Sequence, residues 1–148
     1  MRRVATAEET STSLKLVVMD AGPLIDYLTG LDSGQGVRER LADPGVVAHA
    51  HALNLVEVWY HFARLAGSQV AQDALDTLEA DGLLRSETMD AAFCRDAAEL
   101  KAAWKRVSLA DCCGLALARR LQAEFFTTDR HELQPLEKAD VCAIAFAR

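Results

Sequence analysis

Two rhythms of apolar residues alternate along this chain. A short unbroken run, "KLVVM" at 15–19, has the length and composition of a buried strand. It gives way to "PLIDYLTG", which reads as a helix opened by Pro23 and closed by Gly30. "SGQGVRERLADPG" reads as a short polar helix ended by Pro44-Gly45, and "VVAH" at 46–49 as a second strand. From 51 to 66, Leu53, Val56, Tyr60 and Ala63 recur at helical spacing, predicting a helix buried along that stripe.

The alternation continues to the end of the chain. "SQVAQDALDTLEADG" predicts a helix with Val70, Leu75 and Leu78 on one side and Gly82 as its stop, followed by "LLRS" as a third strand. Met89, Phe93, Ala97, Leu100 and Trp104 form an amphipathic stripe of the next helix. "SLADCCGLALARRLQA" is an apolar helix, "EFFTT" a strand and "DVCAIAFA" a closing strand. Strand and helix by turns predict an α/β fold, a parallel sheet with helices on both faces. In such sheets, sites form where the strands end and the chain turns into helices.

Composition narrows the class. With 148 residues, 51% apolar and 26% charged, the chain suits one soluble domain with a real core. No apolar run is long enough to span a bilayer. "MRRVATAEETSTS" has no apolar stretch behind its arginines, so residues 1–13 read as a flexible polar extension rather than a secretory signal. The folded domain is expected over 14–148. Cysteines at 94, 112, 113 and 142 form no CxxC pair and read as buried free thiols of a cytoplasmic protein. A net charge of −6 argues against broad polyanion binding, which draws on many Lys and Arg contacts to phosphate.

Charge placement carries the chemistry. Asp20 ends the first strand and Asp129 the fourth, so parallel strands bring both to one edge. Glu57 stands in the apolar "LNLVEVWY", and Asp111 in the first turn of "SLADCCGLALA". Each acid alone has an ordinary reading. Asp20 can cap a helix, Ser108 with Asp111 is close to a capping box, Glu57 can face solvent, and Asp129 can serve a turn. Together, four converging carboxylates repel one another unless a cation sits among them. Oxygen donors of this kind suit hard divalent ions, Mg²⁺ in particular, and such a centre suits phosphodiester hydrolysis. Arg130 and His131 directly follow Asp129 and are the preferred substrate contacts, ahead of Arg64, Arg119 and Arg120. His49, His51 and Asn54 lead into the helix of Glu57, where His51 or Asn54 reads best as a helix starter.

The order "VVMDAGPLIDYL", "LNLVEVWY", "SLADCCGLALARR", "FFTTDRHEL" resembles the PIN-domain family, and within it the VapC toxin ribonucleases of VapBC toxin–antitoxin systems. The resemblance runs from about Lys15 to Arg148. It implies a three-layer α/β/α fold with a mostly parallel sheet and a Mg²⁺- or Mn²⁺-dependent endoribonuclease site. By position, Asp20, Glu57 and Asp111 match the family's core metal-binding acids, and Asp129 a fourth. Ser108 and Thr128 match hydroxyl positions that support the acids. The resemblance also implies RNA as substrate, a small antitoxin as partner and a homodimer. One departure stands out: Ala21-Gly22 follows Asp20 where many relatives carry a hydroxyl. That departure keeps open an inactive module that acts by binding RNA or an antitoxin-type protein. A haloacid dehalogenase phosphatase fits poorly, because Gly22 stands where its second aspartate belongs.

Overall fold

Five parallel strands form one sheet in the order β3-β2-β1-β4-β5. They are β1 (Lys15–Met19), β2 (Val46–His51), β3 (Leu84–Ser86), β4 (Glu124–Thr127) and β5 (Ile144–Phe146). The computed structural model describes residues 13–147, so the extension expected over 1–13 lies, but for its last residue, outside the described residues. β1 holds the centre. Its side chains alternate between the two faces, as the strand pleat requires. Val18 enters a core with Phe93, Leu115, Phe125 and Leu133, and Val17 and Met19 enter a second with Leu24, Leu55, Val58 and Phe126. A strand buried on both faces has no room for polar alternation, which is why "LVVM" is unbroken.

Helices cover both faces. α1 (Ala21–Thr29), α2 (Gln35–Ala42), α3 (Ala52–Ala66) and α4 (Ser68–Ala80) contribute to the second core. α5 (Ala91–Ala103), α6 (Leu109–Leu121) and α7 (Arg130–Lys138) build the first. The chain steps from β1 outward through β2 to β3, then returns to the other side of β1 through β4 to β5. The point where these directions part, between the ends of β1 and β4, is the crevice in which open parallel sheets place their sites.

Local details depart from the periodicity in instructive ways. α1 begins two residues before Pro23, because Asp20 accepts from the Ala21 N–H and caps the helix there. Pro23 falls in the first turn, where a missing N–H costs nothing. On α3 the buried residues are Asn54, Leu55 and Val58, whereas Val56 and Tyr60 are exposed. This helix is apolar almost all round, so several stripes fit and tertiary contacts set its phase. α4 likewise buries Ala71, Ala74 and Leu78 and leaves Val70 exposed. Met89 precedes α5 and is exposed. β5 covers only part of "DVCAIAFA". α7 was not expected; Asp129 caps it, and Pro135 inside it masked its helical pattern. Cys112 and Cys113 are buried as expected and Cys142 partly so, but Cys94 is exposed.

Candidate metal centre

The site grows out of the ends of the parallel strands β1, β2 and β4 and the start of α6, which follows α5. β1 pairs with β4 in a register that sets Met19 against Phe126, and the Asp20 N–H continues the ladder to the Phe126 carbonyl at 2.9 Å. One step further, Asp20 lies beside Thr127. The Thr127 hydroxyl donates to Asp20 Oδ2 at 2.7 Å, and the Ala21 N–H donates to Oδ1 at 2.7 Å. Asn54 reaches Oδ1 from α3 through Nδ2, at 3.4 Å. Asp20 is thereby buried and held from three sides.

Glu57 arrives on α3, one turn after Asn54. The helix is started by His51, whose Nδ1 accepts from the Leu53 N–H at 3.1 Å. The same ring bonds through Nε2 to the Thr88 carbonyl at 3.0 Å and stacks on Phe93, 5.1 Å between centroids. Since Nδ1 accepts, Nε2 carries the proton and donates. Asp111 arrives in the first turn of α6, where the Ser108 hydroxyl accepts from the Asp111 N–H at 3.1 Å. Ser108 therefore fixes the backbone that carries Asp111, and does not touch its carboxylate in this way.

Asp20, Glu57 and Asp111 each offer a carboxylate oxygen, and the oxygens lie within 4.8 Å of one another. Two of the residues are buried and Glu57 is half-buried. The groups that act most strongly on Asp20 and Asp111 include no cation. Burial pushes the Asp111 carboxyl up to about 9, helped by the Asp20, Glu57 and Asp129 charges. Burial also raises Asp20, against the opposing hydrogen bonds from Asp111, Thr127 and the Ala21 amide. Glu57 is raised by burial and by Asp20. Without a cation, then, Asp111 keeps its proton at neutral pH. Three hard oxygen donors fit Mg²⁺ or Mn²⁺, and no thiol or imidazole belongs to the set.

Asp129 stands apart from this cluster. Its carboxylate accepts from the Glu132 N–H at 3.0 Å and caps α7, while its own N–H donates to the Thr127 hydroxyl at 3.0 Å. Its charge still raises Asp20 and Asp111. The hydroxyl on Asp20 comes from Thr127 rather than Thr128. Thr128 instead lies against Gly22, where a Cβ would collide with its Oγ1. A hydroxyl residue there would displace Thr128, and Thr127 serves Asp20 without it.

Arg130 and His131 open α7 beside the site, both exposed, with the Arg130 guanidinium 4.4 Å from the Phe146 ring centroid. Arg120 is engaged elsewhere. It bonds Asp90 at 2.8 and 3.3 Å, nine residues along α6 from Asp111, or about 13 Å of helical rise. Arg64 covers Tyr60 on α3, 4.9 Å from the ring centroid. Sequence reading missed Thr127 and the Asn54 bond to Asp20. The second had a signal, since Asn54 and Glu57 share a helix face at i, i+3.

A family model described as PIN domain matches residues 17–139. The chain belongs to the PIN-domain family, and its fold is that of solved VapBC toxin–antitoxin proteins. VapBC2 from Rickettsia felis, bound to a DNA fragment from its promoter, superposes with a TM-score of 0.70 at 14% identity, over 90% of this chain and 99% of that one. A toxin–antitoxin complex from Klebsiella pneumoniae gives 0.67 at 17% identity, over 89% and 98%. VapC20 from Mycobacterium tuberculosis, a sarcin–ricin-loop-cleaving toxin, gives 0.64 at 18% identity, over 80% and 94%. No curated protein matched in a sequence search.

Proposed function

We propose that this chain is a Mg²⁺- or Mn²⁺-dependent endoribonuclease, the toxin of a toxin–antitoxin pair. The observation that carries the reading is the convergence of Asp20, Glu57 and Asp111, from three separate elements, within 4.8 Å. Membership of a nuclease family and the likeness to VapBC toxins support it. The sarcin–ricin loop cleaved by VapC20 supports RNA as the substrate.

Asp20, Glu57 and Asp111 would hold the cation. When bound, a divalent ion supplies Lewis acidity toward a phosphoryl oxygen and makes water nucleophilic near neutral pH. The chain does the rest. Thr127, Asn54 and the Ala21 amide fix both oxygens of Asp20, so the carboxylate is oriented before any ligand arrives. Asp111 would have to release its proton for an ion to bind, so occupancy would depend on pH. Asp129 contributes negative charge and orients water, and Arg130 and His131 bind the phosphates flanking the scissile bond. The protein acts in the cytoplasm as a homodimer, with a small antitoxin that blocks the acidic groove. Among the described residues no helix is long and apolar enough to cross a membrane.

The test is a calorimetric titration of Mg²⁺ and Mn²⁺ into the wild type and Asp20→Asn, with cleavage of a mixed RNA pool in parallel. Binding and cutting that both vanish in the variant support the reading. A wild type that binds neither ion would leave the acids as caps and surface charges and overturn it.

A further inference from the structure

The turn between α5 and α6 meets the start of α7 in a pocket of 460 Å³. Trp104, Val107 and Pro135 give it apolar walls, Lys105 and Arg106 bring cations to it, and His131 adds an imidazole. Glu132 adds a carboxylate. Both chain segments that line it lead into the metal centre. Val107 is followed by Ser108, the cap that sets Asp111, and His131 lies two residues after Asp129.

Resting on the nuclease reading above, we propose that this pocket is a nucleobase subsite that takes one unpaired base of the RNA next to the scissile phosphate. Trp104 supplies the stacking face, Lys105 and Arg106 neutralise the adjoining backbone, and His131 offers a hydrogen bond to it. Several observations support this occupant. Trp104 is partly buried, packed against the core as well as lining the pocket, so it is offered as a fixed surface. The turn that carries it is tied down. Lys101 Nζ donates to the Lys105 and Val107 carbonyls at 2.9 and 2.7 Å, and the Val107 N–H to the Trp104 carbonyl at 3.0 Å. RNA in single-stranded form is recognised by stacking of splayed bases on aromatic rings with cations along the backbone. A pocket joining those two features beside the acids matches that chemistry. Its cations stand out on a chain whose net charge is −6. Glu132 can accept from an amino group on the base edge, as carboxylates do from cytosine. A helical protein partner would ask for a run of exposed aliphatic side chains. Exposed aliphatic residues of that kind lie on α3, at Val56 and Leu65.

The test uses the full chain carrying Asp20→Asn, which prevents cutting, and short single-stranded RNAs of mixed sequence. Trp59→Phe leaves Trp104 as the sole tryptophan of the two in the sequence. RNA should then quench its emission. Binding followed by the anisotropy of labelled RNA should weaken about 5- to 100-fold in Trp104→Ala, the range for a lost base–aromatic stack. Trp104→Phe should stay within about 3-fold of the parent, since a stacking face remains. The exposed pair Lys105→Ala/Arg106→Ala, which does not depend on the core, should weaken binding and flatten its salt dependence. A slope change of about 1.4 is expected, at roughly 0.7 for each of the two lost phosphate contacts on single strands. Unquenched emission, with equal affinity in all variants, overturns the subsite and hands the pocket to a protein ligand. Failure of the nuclease reading looks different: an otherwise wild-type chain then neither binds Mg²⁺ nor cuts RNA. If only the subsite fails, that chain cuts and Trp104→Ala cuts with the same KM.

Discussion

Thr127 and Asp111 show how single side chains decide this site. Thr127 is fully buried and bonds both Asp20 and the Asp129 amide, so it links two acids that lie on different elements. Thr127→Val should leave the fold standing and cut activity or metal affinity about 10- to 100-fold, as loss of a partner behind a metal ligand does. Thr127→Ser should restore most of it, and a steady-state assay beside a calorimetric titration measures both. The sequence offered two neighbouring threonines, and the strand pleat gives their side chains opposite directions. Choosing between them needed the β1–β4 register, which no local pattern encodes. Asp111 carries a pH signature. The fold keeps it protonated up to about pH 9, whereas in the unfolded chain it ionises near 3.8. Between those values the unfolded state holds fewer protons, so metal-free stability falls as pH rises from about 4 to 9. Asp111→Asn removes that loss. In chelator at pH 8 its Tm should exceed the wild type's by about 3–8 °C, and the gap should close toward pH 4. Thermal melts across pH measure it, and an equal or lower Tm at pH 8 would count against a strained acid cluster.

At the scale of elements, the acids converge because helices can approach closely where side chains are small. Gly114 on α6 faces α3 and β4. A Cβ there would lie 2.6 Å from Phe125 Cε2 and 2.9 Å from Asn54 Oδ1. Asn54 Oδ1 is buried with no hydrogen-bond partner among the described residues, so none of them holds that oxygen clear of an incoming methyl. Gly114→Ala should cost about 1–3 kcal/mol through overpacking, measured by urea unfolding. It should also weaken metal binding, because Asn54 is displaced from Asp20. An unchanged midpoint would mean that α6 shifts freely. Element existence was largely legible here: all five strands and most helices follow from apolar rhythm. Phase was not. "LNLVEVWYHF" supports more than one buried stripe, and packing in the second core with Val17, Met19, Leu24 and Leu78 selects Leu55 and Val58. α7 was hidden for a different reason, since Pro135 argues locally against a helix that the Asp129 cap and the buried Leu133 and Leu136 stabilise.

For the whole molecule, the sheet order turns four dispersed acids into one strained edge, and a cation would relieve the strain. The four acids were visible in the sequence because an acid at a strand end or inside an apolar helix needs a reason. That Asp20, Glu57 and Asp111 would share an ion came from the family resemblance; that Asp129 turns aside to cap α7 was not visible in the sequence. The linkage between protons and metal makes this arrangement measurable globally. An ion that binds only the folded chain stabilises it by mass action, about 2.7 kcal/mol at one hundred times its Kd. For a chain of this size that corresponds to a Tm rise of about 5–10 °C. Because Asp111 must shed its proton first, the apparent Kd for Mn²⁺ should tighten as pH rises from 6 toward 9, by up to about tenfold per unit. The Tm rise at fixed Mn²⁺ should grow in step. Calorimetry in buffers of different ionisation enthalpy should count about one proton released per ion at pH 7. Asp20→Asn and Asp111→Asn should both abolish the rise. A rise that persists in those variants, or that ignores pH, would locate the ion outside this cluster and return Asp20 to the modest work of capping α1.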